Sequence, residues 1–154
     1  MEISFQTIAL FSALAFTVSY FAINGTTSKN IDSKDKQIKI TSNRAKLNIV
    51  IRGDAKIDKQ RLIKLATQST LAAIDIGSEY NPQVYKRWSR EGQPKVTLKC
   101  PNEEEMNNLI KSANKNKVHV QCINDKATNK PILLAVGPDY EEKINAVTGH
   151  LKLF

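Results

Sequence analysis

Apolar residues recur along this chain in distinct rhythms. From Ile3 to Ile23 no charged side chain interrupts a run rich in Phe, Ala, Leu and Val. As a helix such a run is long enough to cross a hydrocarbon core of about 30 Å. It predicts a transmembrane anchor over 1–24. A secretory signal is the alternative, but Met1-Glu2 supplies no basic start and Ala22-Ile23-Asn24 is a poor small-residue cleavage site. Residues 25–45 are polar, with Thr26-Thr27-Ser28 and Ser33-Lys34-Asp35-Lys36 and little periodicity, and read as a linker to a domain over 46–154.

Beyond the linker the rhythm changes. Residues 47–51 (Leu-Asn-Ile-Val-Ile) read as a buried strand. Leu62, Leu65, Ala66, Ser69, Ala72, Ala73 and Ile76 then fall at helical spacing, with Asp58 as N-cap and Gly77 as C-cap. A second helix over 80–90 has Pro82 in its first turn and an apolar stripe of Val84, Tyr85 and Trp88. Gly92-Gln93-Pro94 turns the chain into a strand over 95–100, and Pro101-Asn102-Glu103-Glu104-Glu105 opens a helix that continues through Ala113. A strand over 118–123, a polar loop over 124–131, a strand over 132–136 and a short helix over 139–147 follow, leaving 151–154 as a tail. Strands alternating with helices predict an α/β domain around a small mixed sheet.

Charge narrows the partners. Lys and Arg number 23 against 15 Asp and Glu, a net charge of +8, and because Glu2 is the only charged residue before Lys29 the remainder carries +9. Such a surface suits phosphate-rich partners or an anionic membrane. Since Lys29, Lys34, Lys36, Lys39, Arg44 and Lys46 all follow the apolar run, the positive-inside rule puts the domain in the cytosol. In that topology the sequon Asn24-Gly25-Thr26 would go unused. Cys100 and Cys122 lie near strand ends rather than at metal-ligand spacing and read as buried free thiols, with a disulfide as the alternative, and His119 and His150 stand far apart, so no metal site is predicted. The strand-to-helix junction at Arg52-Gly53-Asp54 exposes backbone N–H groups and the positive end of a helix dipole, with Lys56, Lys59, Arg61 and Lys64 around it. It is the first candidate site for an anion, and Arg87, Lys95 and Lys99 extend the basic surface.

Several stretches resemble the peptidyl-tRNA hydrolase 2 family of archaea and eukaryotes. They are Trp88 with Gly92-Gln93-Pro94-Lys95-Val96 and Lys99, then Pro101-Asn102-Glu103-Glu104, Gly137-Pro138, and the ending Val147-Thr148-Gly149-His150-Leu151-Lys152-Leu153-Phe154. The resemblance covers residues 46–154. It implies a four-stranded mixed sheet flanked by helices on both faces, often as a homodimer, with no metal or organic cofactor. It also implies hydrolysis of the ester between a nascent peptide and the 3′ end of its tRNA, with peptidyl-tRNA as substrate. Animal members can carry a mitochondrial outer-membrane anchor, the location the resemblance implies for this chain.

The family's catalytic motif, Arg-x-Asp-Leu-x-Met-x-x-Gly-Lys-x-Ala-Ala-Gln-x-x-His-Ala, is kept only in part. Arg52 and Asp54 match; Ala55 and Ile57 replace Leu and Met, Gln60-Arg61 replaces Gly-Lys, Ile63-Lys64-Leu65 replaces Ala-Ala-Gln, and Gln68 replaces His. The second motif, Asp-Ala-Gly-x-Thr, appears as Asp125-Lys126-Ala127-Thr128-Asn129, which keeps the Asp and moves Thr one residue earlier. Asp125, Arg61 and Thr128 are therefore the candidate catalytic residues, with Lys56, Lys59, Lys64, Arg87, Lys95 and Lys99 as candidate tRNA contacts. Two readings follow: a weak or altered hydrolase, or an inactive member that binds tRNA or protein at a membrane.

Overall fold

The computed structural model describes residues 38–154. The expected membrane anchor and most of the linker lie outside the described residues, and among the described ones no helix is long and apolar enough to cross a membrane. In chain order the elements are β1 (Ala45–Arg52), α1 (Lys59–Tyr80), α2 (Pro82–Arg90), β2 (Lys95–Cys100), α3 (Glu103–Lys115), β3 (Val120–Asn124), β4 (Pro131–Tyr140), α4 (Glu141–Thr148) and β5 (Lys152–Leu153).

The strands form one mixed sheet in the order β3-β4-β1-β2-β5. β1 and β2 run parallel, and every other neighbouring pair is antiparallel. The sheet thus has five strands rather than the expected four. The extra strand is the apparent tail: Leu153 pairs with Leu98 and Lys152 with Lys99, and Phe154 N–H donates to the Thr97 carbonyl at 3.1 Å. A strand of two residues is too short to show alternation, so only its long-range partner reveals it.

Both faces of the central strands are covered. Leu47, Ile49 and Ile51 of β1 pack with Ala73 of α1 and with Val84 and Trp88 of α2. Val50 faces the opposite way, toward Met106, Leu109 and Ala113 of α3 and Ile144 and Val147 of α4. Burial on both sides explains why β1 and β4 read as nearly continuous apolar runs. β2 is different: Leu98 and Cys100 are buried on the α3 and α4 side, while Lys95, Thr97 and Lys99 are exposed on the other.

Asp58 caps α1 as expected, accepting from the Arg61 N–H at 2.9 Å. Gly77 does not end the helix, which runs on to Tyr80 and closes at Asn81. A side chain at Gly77 would put its Cβ 2.8 Å from Pro138 Cδ, so this glycine permits close helix-to-strand approach rather than termination. Two further ties fix α4. Asn48 Nδ2, buried in β1, donates to Thr148 Oγ1 at 2.8 Å. The Glu142 carboxylate clasps the segment before β1, accepting from Thr41 N–H and Thr41 Oγ1, each at 3.0 Å, and from Ser42 N–H. Those donors, Ser42 N–H foremost, together with the N–H of Glu142 itself, pull its pKa from the ordinary 4.5 down to about 2.

Candidate functional site

The parallel strands β1 and β2 finish side by side, Arg52 opposite Cys100, and α1 and α3 begin just beyond those ends. The loop joining β3 to β4 comes to the same end, because Asn124 pairs with Pro131 and Ile51 with Leu133. In open α/β sheets the carboxyl ends of parallel strands are where ligands gather.

Arg61 projects from the first turn of α1, and its Nη2 donates to Asp125 Oδ2 at 2.8 Å. The other carboxylate oxygen of Asp125 closes its own loop, accepting from Ala127 N–H at 2.7 Å and Thr128 N–H at 3.1 Å. Such an Asx turn suits a short loop. The Ala127 N–H, then Arg61 and the Thr128 N–H, hold the Asp125 pKa below the usual carboxylate value. Asp125 is thus an ionised acceptor and a weak proton acceptor at neutral pH. Of the candidate catalytic residues, Arg61 and Asp125 are in direct contact, and Thr128 joins them through its backbone N–H.

A second set of charges pins this loop. Arg52 Nη1 donates to the Pro131 carbonyl at 2.8 Å and lies 3.7 Å from Glu103 Oε2, while its Nε lies 3.0 Å from Asp54 Oδ1 without hydrogen-bond alignment. Lys130 completes the set at 2.8 Å from Glu103. Sequence reasoning named neither Glu103 nor Lys130 as a site residue. The acidic start of α3 was visible, but its position beside Arg52 depends on β2 lying next to β1.

Lys56, Lys59 and Lys64 are exposed around the start of α1 and make no salt bridge among the described residues. Lys99 is at the same end, its stem so close to Gly53 that a Cβ there would lie 2.5 Å from Lys99 Cε. Arg87 and Lys95 are at the opposite end, where Lys95 pairs with Leu47. There Lys95 Nζ sits 4.8 Å from the Trp88 ring centroid and donates to the Gln93 carbonyl at 3.0 Å, and Arg87 donates to the Asn43 carbonyl at 2.9 Å. Gln60, Ile63, Lys64 and Gln68 all stand exposed on α1, with Ile63 at 68% of its full exposure. Their added bulk faces solvent instead of filling the core.

The profile of the peptidyl-tRNA hydrolase PTH2 family matches residues 45–154. The mouse mitochondrial peptidyl-tRNA hydrolase 2 is 31% identical over 142 residues, covering 87% of this chain and 78% of its own. Its human counterpart is 32% identical over 114 residues, covering 71% of this chain and 64% of its own. The peptidyl-tRNA hydrolase of Thermococcus onnurineus is 39% identical over 116 residues, covering 71% of this chain and 98% of its own. From a basic helix start that faces a capped aspartate to the strand that closes at Phe154, the matched span takes in the whole site, and the chain belongs to the peptidyl-tRNA hydrolase 2 family.

Proposed function

We propose that this chain is a peptidyl-tRNA hydrolase of altered and weak activity, with Arg61 and Asp125 at its reacting centre. The observation that carries this reading is the 2.8 Å contact between them at the carboxyl ends of the parallel strands. In the reaction a water attacks the carbonyl carbon that joins peptide to tRNA, the ester C–O bond breaks, and the released ribose oxygen takes up a proton. Asp125 orients the water. Arg61 faces the developing oxyanion, a role that needs a fixed cationic donor and no proton exchange. The Thr128 hydroxyl, one residue from its family position, is the further polar contact to the reacting end. Lys56, Lys59, Lys64 and Lys99 hold tRNA phosphates beside the centre, and Arg87 and Lys95 would meet only a more distant part of the same tRNA.

A second reading, tRNA binding without turnover, draws support from the fact that both Asp125 oxygens already have protein partners. Incubating the full-length protein with N-acetyl-aminoacyl-tRNA separates the two. Slow release that Asp125→Ala abolishes is the outcome expected of the hydrolase. Salt-sensitive binding with no release would leave the binding module.

The uncharged run from Ile3 to Ile23 supports a membrane anchor with the basic flank, and so the domain, facing the cytosol; the mitochondrial name of the mouse relative supports a mitochondrial location, and the outer membrane and a homodimer are what the family resemblance implies. Extraction of the full-length protein by carbonate buffer alone would refute the anchor; a single-copy mass in detergent would refute the dimer.

A further inference from the structure

We infer that the exposed face of β2 and its C-terminal neighbour is a platform for single-stranded nucleic acid, the unpaired 3′ end of the tRNA, with Phe154 as a base-stacking surface. The assignment rests on the tRNA part of the proposed function and adds a surface to it. Lys95, Thr97 and Lys99 project from the side of β2 that α1 and α2 leave exposed. Residues directly opposite in an antiparallel pair share a face, so Lys152 stands beside Lys99, and Phe154, whose N–H bonds the Thr97 carbonyl, stands beside Thr97.

Two features of this strip point to an anionic, aromatic ligand. Lys99 and Lys152 are like charges directly opposite each other, an arrangement that is destabilising unless an anion lies between them. Neither makes a salt bridge among the described residues. Beside them Phe154 is 59% exposed, on a face with no acidic side chain on either strand. Lysines flanking an open aromatic ring are the elements by which single strands are held, phosphates on the charges and a base on the ring. A duplex cannot use the ring, because its bases are already stacked. The strip also leads to the right place, since Lys99 passes over Gly53 beside the start of the β1 to α1 junction.

Fluorescence anisotropy of the full-length protein in detergent, with a labelled single-stranded RNA octamer and a blunt RNA duplex as probes, tests this. Phe154→Ala is expected to weaken octamer binding by about fivefold to a hundredfold, with Phe154→Tyr restoring it and the duplex unaffected. Replacing Lys99 and Lys152 together by Gln should lower the slope of log affinity against log salt by about 1.4 for the octamer. Octamer binding unchanged by Phe154→Ala, a parallel loss for octamer and duplex, or an unchanged salt slope would each overturn the platform. A protein that releases no peptide yet shows this pattern keeps the platform and loses the hydrolase. One that releases peptide at unchanged KM with Phe154→Ala, and binds the octamer as before, does the reverse.

Discussion

At Asp125 the two carboxylate oxygens serve different partners, Oδ1 the loop N–H groups and Oδ2 Arg61, so substitutions can separate chemistry from scaffolding. Asp125→Asn keeps a neutral acceptor for the loop and removes the charge. Peptide release should fall about 100-fold or more with little change in melting temperature. Asp125→Ala should lose release and melting temperature together; equal melting temperatures for the two variants would count against the scaffolding role. Arg61 also helps to hold the Asp125 pKa down, so Arg61→Gln must raise it toward the ordinary 3.8. Carboxyl-carbon NMR titration reads this directly, and a midpoint that stays put would show the pair to be inconsequential in solution. Arg61 and Asp125 were both legible as candidates because each sits at a motif position. Their pairing was not, since 64 positions separate them and no periodicity links a helix start to a loop on the far side of β4.

The elements themselves were largely legible, and the departures have local causes. Helix α1 shows its N-cap and apolar stripe in the sequence, but Gly77, which by its position resembles a helix stop, serves packing against Pro138. Two opposing magnitudes decide what Gly77→Ala does. Alanine gains about 1 kcal/mol in helix propensity, whereas forcing a methyl into a filled contact costs about 1–3 kcal/mol. Pro138 is a ring fixed to the backbone and cannot swing aside, so thermal melting should move downward; an upward shift would show that the contact with Pro138 yields to a methyl group. Glu142 carries the other element-level prediction. Its folded pKa lies near 2 against an ordinary 4.5, so its contribution to stability is complete above the ordinary value and is lost as pH falls through the folded one. Between about pH 4.5 and 2 the melting temperature of wild type should therefore fall more steeply than that of Glu142→Gln. Parallel curves would mean that the clasp on Thr41 and Ser42 is absent in solution.

Across the whole molecule the sheet sorts the basic residues into groups that the sequence lists together. Lys56, Lys59 and Lys64 surround the start of α1 and Lys99 lies at the same end of the sheet, while Arg87 and Lys95 lie at the other end and hold their own surroundings. Which residues belong together follows from strand direction and order, and both are fixed by long-range pairing that composition cannot reveal. The division has a measurable consequence for tRNA binding by the full-length protein. Each lost duplex phosphate contact reduces the salt slope by about 0.9, so Gln at Lys56, Lys59 and Lys64 together should reduce it by about 2.7 if all three reach phosphates. Gln at Arg87 and Lys95 should reduce it less. It should also lower the melting temperature, because Lys95 over Trp88 is a cation–π contact worth about 0.5–1 kcal/mol at an exposed position. Equal slope changes from the two groups would mean that tRNA lies across both ends of the sheet, and a larger change from Arg87 and Lys95 would move the principal nucleic-acid contact away from Arg61 and Asp125.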